Sequence, residues 1–253
     1  MASISISTDI QLPPGPLPAA VVRKIIHLAF DEYRWFQPYW TKPWDEDDGD
    51  EPDFTDYSVL FTRYEEVQRI TITDRADQNF LMVSPSRKGG NYPFVSRLIW
   101  GVTLTEEMSQ GWRAAHLHQM VEIMRLVGSP LAWAGLFEDL SRKKVRFIPA
   151  PDGRGTLQTS TLRDPSEGLT GLYWRNIFGP PFTRMFGERL LSLPPDTRQD
   201  LGDGLVLVQP YELPTQAMTP EGDAAEARLI NVLGPECFYD HQQHRKPTRV
   251  PVL

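Results

Sequence analysis

Apolar residues recur at spacings of three and four in three segments, and this period predicts amphipathic helices. The segments cover residues 18–35, 106–127 and 220–233. Thr105 and Thr219 stand where an N-cap is expected for the second and third helices. A Gly and a Pro follow both of these helices, as is typical of helix ends.

Short β-prone runs, separated by turn-forming residues, occupy most of the remaining chain and predict antiparallel strands. Four of them precede the second helix, at residues 57–63, 68–73, 79–84 and 98–104. Five more follow it, at residues 131–137, 145–149, 157–162, 171–178 and 205–210. The pattern therefore predicts an α+β fold in which antiparallel sheets pack against amphipathic helices.

The chain also divides into two halves of similar plan. Each half ends in a predicted helix followed by Gly and Pro, in LVGSP and in VLGPE. From this shared ending we expect two similar α+β subdomains, residues 1–130 and 131–253. No fixed-period repeat supports a duplication.

Charge is concentrated in one place. The 253 residues carry a formal net charge of −7, and the sequence DEDDGDEPD at residues 45–53 accounts for all of this excess. The rest of the chain is balanced, which argues against direct binding of nucleic acid. The one dense basic cluster, SRKKVR at residues 141–146, is expected to end a helix.

Three interpretations of the acidic run remain open. It is a solvated loop, covering residues 43–54, or an electrostatic arm for a basic partner, or a site for a cation. The spacing of a calcium-binding loop is missing. If the run is an arm, its partner-binding residues are Asp45, Glu46, Asp47, Asp48, Asp50, Glu51 and Asp53.

Several observations bear on the cellular location. The N-terminal residues form no secretory signal, and no apolar run approaches the length of about 20 residues that crosses a bilayer. The single cysteine, Cys237, excludes an intrachain disulfide and suits a reducing compartment. We expect a cytoplasmic protein that does not contact a membrane.

No recognisable catalytic motif is present, so we expect no enzyme activity, no metal and no cofactor. His116 and His118 are two residues apart on a predicted helix and point in different directions. His118 and Glu122 are four apart, which is typical of a surface contact. The polar segment of Asp240, His241 and His244 matches no common metal-site spacing.

The segment LYWRNIFGPPFTRMFG, residues 172–187, is unusually aromatic. Its Gly-Pro-Pro sequence forces a turn, so the aromatic rings are expected to fold back as a compact apolar knot. The alternative is a partner surface that uses Trp174 and Arg175. The residues that we assign to the structural motif are Phe178, Gly179, Pro180, Pro181, Phe182, Phe186 and Gly187.

The sequence YWRNIFGPPFTRMFGERLLSLP, together with LGPECFYD and the terminal RVPVL, resembles the immunity protein 52 family of bacterial polymorphic-toxin systems. The resemblance covers mainly residues 171–253. It implies a non-enzymatic protein that binds and neutralises a secreted DNase toxin with a restriction-endonuclease-like domain. Such toxins are often delivered by type VI secretion. The resemblance transfers no catalytic residue.

An alternative from another class is a small-molecule enzyme, such as a hydrolase, with its site between the two halves. His116, His118, Glu122 and His241 are its candidate residues.

Overall fold

A computed structural model describes residues 4–39, 57–86, 92–104, 110–150 and 153–253. The chain divides into two compact units, Met1–Gly128 and Ser129–Leu253. Each unit combines helices with mostly antiparallel strands, so the predicted α+β class is confirmed. No helix in the described ranges is both long and apolar enough to cross a membrane.

The first unit contains four strands and three α-helices among its described residues. In chain order these are β1 (Ile4–Gln11), α1 (Ala19–His27), α2 (Ser58–Val67), β2 (Ile70–Thr73), β3 (Phe80–Ser84), β4 (Arg97–Leu104) and α3 (Gln110–Val127). A π-helical turn, Leu28–Glu32, continues α1 directly.

The sheet of the first unit has the order β2-β3-β4-β1, and each neighbouring pair is antiparallel. Thr8, Trp100 and Leu81 lie opposite one another on β1, β4 and β3, so they share one face. All three are buried. A hydrogen bond of 2.9 Å between Thr8 Oγ1 and His116 Nε2 attaches α3 to this face.

Two predictions for the first unit are wrong. Residues 57–63 form the start of α2 rather than a strand, because Leu60 and Tyr64, four apart, are the positions that become buried. The predicted helix 18–35 is regular only to His27, after which the backbone takes the π-helical path. Strand β1 was not predicted, since its Ser, Thr, Asp and Gln residues read as polar surface.

The second unit contains six strands and four α-helices among its described residues. They are β5 (Leu131–Leu136), α4 (Phe137–Lys144), β6 (Val145–Pro149), β7 (Thr156–Ser160), β8 (Arg175–Phe178), α5 (Pro180–Phe186), α6 (Glu188–Leu191), β9 (Arg198–Gly202), β10 (Leu205–Val208) and α7 (Pro220–Leu233). Short 3-10 turns lie at Pro165–Glu167, Pro195–Thr197, Pro214–Met218 and Pro235–Cys237.

The strands of this unit form an antiparallel sheet of order β5-β8-β10-β9 and a separate hairpin, β6–β7. Helix α7 begins as the sequence predicts, because the Thr219 hydroxyl accepts a hydrogen bond from the Gly222 amide at 3.1 Å. Helix α4 ends within the basic cluster, also as predicted. Only Arg175–Phe178 of the predicted strand 171–178 is extended in the sheet.

The Gly-Pro-Pro turn produces the expected apolar knot. Phe178 closes β8, and Pro180 and Pro181 open α5, so Phe182 and Phe186 fold back over the strand. The ring centres of Phe178 and Phe186 are 5.0 Å apart, in an edge-to-face arrangement. Further buried apolar residues complete this core, including Leu131, Leu172, Met185, Leu190, Val208, Leu229, Leu233, Cys237 and Phe238.

We predict that Phe182→Ala lowers the free energy of unfolding by about 3–5 kcal/mol, because the fully buried ring leaves a cavity that its neighbours only partly fill. Phe147→Ala is the matched control. Phe147 lies on β6 and is 69% exposed, so its loss should change stability by no more than about 0.5 kcal/mol. Urea unfolding of both variants measures the difference, and equal values would show that the knot is not the core.

Candidate functional site

The seven acidic residues Asp45, Glu46, Asp47, Asp48, Asp50, Glu51 and Asp53 lie outside the described residues. The described residues that flank the run belong to the first unit. The Tyr39 amide donates a hydrogen bond of 2.7 Å to the Thr73 carbonyl at the end of β2. The Tyr57 hydroxyl donates one of 3.2 Å to Asp31 in the π-helical turn. The nearest described residues on the two sides of the run, Tyr39 and Tyr57, are thus both held by hydrogen bonds within this unit.

Trp174 and Arg175 are buried, which corrects the expectation that they form an exposed contact surface. Trp174 is 0% exposed, and its indole Nε1 donates to the Glu212 carbonyl at 2.9 Å. The Arg175 guanidinium lies 4.1 Å from the centre of the Trp174 ring. The two side chains stack on each other inside the second unit, so they stabilise this unit rather than meet a partner.

The histidines considered as site residues occupy unrelated environments. His116 is buried against Thr8 and the Trp100 ring, whereas His118 is largely exposed. The two rings therefore point apart, as their spacing predicts. His118 Nε2 lies 3.6 Å from Glu122 Oε2, which confirms the surface pair.

The polar segment near the C-terminal end is a turn held by one carboxylate. Asp240 Oδ1 accepts hydrogen bonds from the amides of Gln242 and Gln243, at 3.0 and 2.8 Å. His241 donates from Nε2 to the Thr170 carbonyl at 2.6 Å. Within the described ranges, no three His, Cys, Asp or Glu side chains form a group that could hold a metal ion.

The second unit contains a buried ion network centred on Lys143. The Lys143 ammonium lies 3.0 Å from Asp139 Oδ2 and 2.7 Å from Glu226 Oε2. It also donates to the Leu172 carbonyl at 2.5 Å. Glu226 Oε1 in turn accepts from the Leu172 amide at 2.8 Å. These contacts attach α4 and α7 to the segment that precedes β8.

Arg142 extends the network toward the surface. Its guanidinium lies 2.7 Å from both Asp139 and Asp223, and it donates to the Ala217 carbonyl at 2.8 Å. The five charged groups, three acids and two bases, leave one negative charge in excess. Burial is the main reason that the pKa of Glu226 is raised from its ordinary value, against the opposing attraction of Lys143.

We predict that Lys143→Met destabilises the protein by about 3–5 kcal/mol, because it leaves the buried Glu226 carboxylate without its cation and Asp139 with Arg142 alone. Glu226→Gln should cost less, about 1–3 kcal/mol, since the remaining two acids and two bases balance and only a hydrogen bond is lost. Thermal and urea unfolding at neutral pH give both values. The reverse order would mean that Glu226, and not Lys143, holds the network together.

Two aromatic residues of the first unit, Tyr33 and Trp35, lie together after the π-helical turn. The Tyr33 amide donates to the Leu28 carbonyl at 2.8 Å, and the Trp35 amide donates to the Ala29 carbonyl at 3.0 Å. Between them Arg34 has a φ of +51°, a left-handed conformation that non-glycine residues adopt at a cost. This backbone path leaves the Tyr33 and Trp35 rings half-buried, with one part of each in solvent.

Helix α3 supplies the polar partners of these two rings. The Tyr33 hydroxyl donates a short hydrogen bond to Glu122 Oε2, and the Trp35 indole donates to Gln119 Oε1 at 3.0 Å. We call Tyr33, Trp35, Gln119 and Glu122 the Tyr33–Glu122 surface. Burial, followed by the contact with the Glu122 carboxylate, raises the pKa of Tyr33, so its hydroxyl remains a donor.

A stack of rings supports this surface from beneath. Trp35 lies nearly parallel to the buried Trp100, with ring centres 4.4 Å apart. Trp100 is 6.0 Å from His116, and His116 is 5.1 Å from Trp112. The surface therefore combines a half-exposed carboxylate with half-exposed aromatic rings on a rigid support. Protein surfaces use side chains of these types to bind basic partners.

Neither Tyr33 nor Trp35 is among the site residues that the sequence patterns predict. A signal was present, because residues 33–40 read YRWFQPYW and contain five aromatic residues in eight. This density exceeds that of the Gly-Pro-Pro segment, and four residues separate the stretch from the acidic run, which begins at Asp45.

Comparison with known proteins gives a fold likeness alone. No protein-family model matches the chain, and no curated protein matches it. Among solved structures, the chain is similar to the Pseudomonas aeruginosa T6SS protein PA0821, with a TM-score of 0.56 at 10% identity. The match covers 91% of this chain and 72% of the other. At this identity the likeness shows a shared fold.

Proposed function

We propose that this protein is an immunity protein of a type VI secretion system, which binds a secreted nuclease toxin and neutralises it without catalysis. The bound toxin would be held away from DNA, so the producing cell would survive. The partner is the toxin's nuclease domain, and no metal or cofactor takes part.

The observation that carries the proposal is the Tyr33–Glu122 surface, which presents aromatic rings and a carboxylate on a rigid support. A nuclease must hold a polyanion, so its active face is basic. A surface of this chemistry is complementary to such a face. The fold likeness to a type VI secretion protein supports the biological setting, and the resemblance of residues 171–253 to an immunity family supports the class.

The acidic run adds to this complementarity through its charge. Seven acids between residues 45 and 53 hold the whole negative excess of the chain. Both flanks of the run are anchored on the first unit, at Tyr39 and Tyr57. Long-range attraction from such a group accelerates the encounter with a basic partner.

We predict that the purified protein forms a one-to-one complex with the nuclease domain encoded by the neighbouring toxin gene. Its Kd should be about 1 nM or lower, because a cell survives a nuclease only when free toxin is negligible. An interface of about 1,600 Å² or more usually accompanies a complex of this kind. Calorimetry measures the affinity and the stoichiometry.

The matching assay follows DNA cleavage by the nuclease at increasing ratios of this protein. Inhibition should be complete at one equivalent. Inhibition that needs far less than one equivalent would indicate a catalytic mechanism, and binding that is only micromolar would contradict the proposed role.

We further predict that replacing Asp45, Glu46, Asp47, Asp48 and Asp50 by Asn or Gln slows association with the nuclease by tens-fold at low salt. Dissociation should change little, since charges at the rim act mainly by steering. The rate of the variant should also depend less on salt, because charges are screened beyond about 8 Å at physiological ionic strength. Stopped-flow association at two salt concentrations measures both effects.

Thermal unfolding of this variant serves as its control for folding. Equal association rates for wild type and variant at low salt would show that the acidic run is a solvated loop without a part in binding.

A further inference from the structure

We propose that the Tyr33–Glu122 surface binds an arginine side chain of the nuclease, with the guanidinium against the Glu122 carboxylate and beside the Tyr33 and Trp35 rings. This inference rests on the proposed function and names the contact that would hold the complex together. The arginine would be one that the nuclease uses to hold DNA phosphates.

The Glu122 carboxylate has few charged partners among the described residues. Its side chain is 37% exposed, and no Lys or Arg of the described ranges lies within 4.0 Å of its carboxylate. The exposed His118 lies 3.6 Å away. In the part of the chain that the structure describes, His118 is therefore the one basic partner of Glu122, and an arginine of another protein would give this carboxylate a permanent counter-charge.

The two neighbouring acids of the π-helical turn have other surroundings than Glu122. Glu32 lies 3.1 Å from Lys24 and 3.3 Å from His27. Asp31, like Glu122, has a histidine and a tyrosine hydroxyl as partners, with His27 at 2.5 Å and Tyr57 at 3.2 Å. Glu122 differs from Asp31 in that its tyrosine partner, Tyr33, stacks with Trp35, and its contact with a histidine is longer, at 3.6 Å.

The aromatic rings favour a guanidinium over an ammonium. Arginine is planar, bonds a carboxylate through two parallel N–H groups and stacks on aromatic faces, whereas lysine is a compact and strongly hydrated charge. Tyr33 and Trp35 have ring centres 6.2 Å apart and are tilted by only 24°. An arginine that reaches Glu122 would lie beside these half-buried rings, and its planar guanidinium could pack against their carbon surface.

The surface is held ready before a partner arrives. The Tyr33 hydroxyl and the Glu122 carboxylate fix each other, and Gln119 fixes the Trp35 indole. The left-handed Arg34 lies between the two aromatic residues, in the kind of strained backbone that clusters at binding sites. Because these groups are already ordered, binding an arginine costs little conformational entropy.

The test is surface plasmon resonance of the full chain against the nuclease domain of the neighbouring toxin gene. Glu122→Gln keeps the shape and removes the charge, and it should raise the dissociation rate on the order of 30-fold or more with little change in association. Tyr33→Phe removes only the hydroxyl that orients Glu122, and it should raise the dissociation rate about two- to tenfold.

The matched control is Glu66→Gln, which removes a charge of the same kind from the exposed surface of α2 in the same unit. The Glu66 side chain is 59% exposed and lies 3.5 Å from Arg63 on the same helix. Its variant should bind as the wild type does. Thermal unfolding of all three variants verifies that they are folded.

The outcomes separate the two proposals. If the wild type binds the nuclease, and the Glu122→Gln and Tyr33→Phe variants dissociate from it at the wild-type rate, the arginine site is overturned. The immunity function would then still stand. An equal effect of Glu66→Gln would also overturn the arginine site, because the loss would then reflect net charge. Failure of the wild type to bind or inhibit the nuclease would overturn the proposed function, and the arginine site with it.

Discussion

The second unit depends on a close approach of two backbones at Gly179. The Gly179 amide donates to the Pro130 carbonyl at 2.9 Å, just where β8 ends beside the start of β5. A Cβ at position 179 would lie only 3.0 Å from that oxygen, so a larger residue would push the strand ends apart. Because the chain can turn at this point, Pro180 begins a helix one residue after the strand, and Phe182 reaches the ring of Phe178.

Periodic apolar spacing correctly predicts those helices and strands of this protein that bury only one of their faces. Strand β3 and helix α7 are of this kind, and both lie where the pattern places them. The pattern misleads at α2, where Val59 and Thr62 favour a strand locally but packing buries only Leu60 and Tyr64. It fails at β1 because the buried Thr8 and Asp9 face partners far along the chain, on α3 and β4.

The same limit explains what the sequence could reveal of the candidate site. Trp174 and Arg175 have the composition of a contact surface, yet the fold stacks them on each other in the interior. Tyr33 belongs to a helical stripe by spacing, but the π-helical turn redirects it toward Glu122, about 90 residues away in the chain. Neither outcome follows from composition, since each depends on a contact with a residue distant in the chain, Glu212 for Trp174 and Glu122 for Tyr33.

A regular end to α1 would place Tyr33 and Trp35 on other sides of the helix, where they could not share the face of α3. The π-helical turn and the left-handed Arg34 cost free energy locally, and the stacking of Trp35 on Trp100 offsets that cost during folding. The Tyr33–Glu122 surface is therefore ordered by the hydrophobic core of the first unit. A surface ordered in this way loses little conformational entropy in any association, because only side chains that must still be immobilised subtract from the affinity. The half-exposed Glu122 carboxylate is thus held on a support that is fixed before any contact is made.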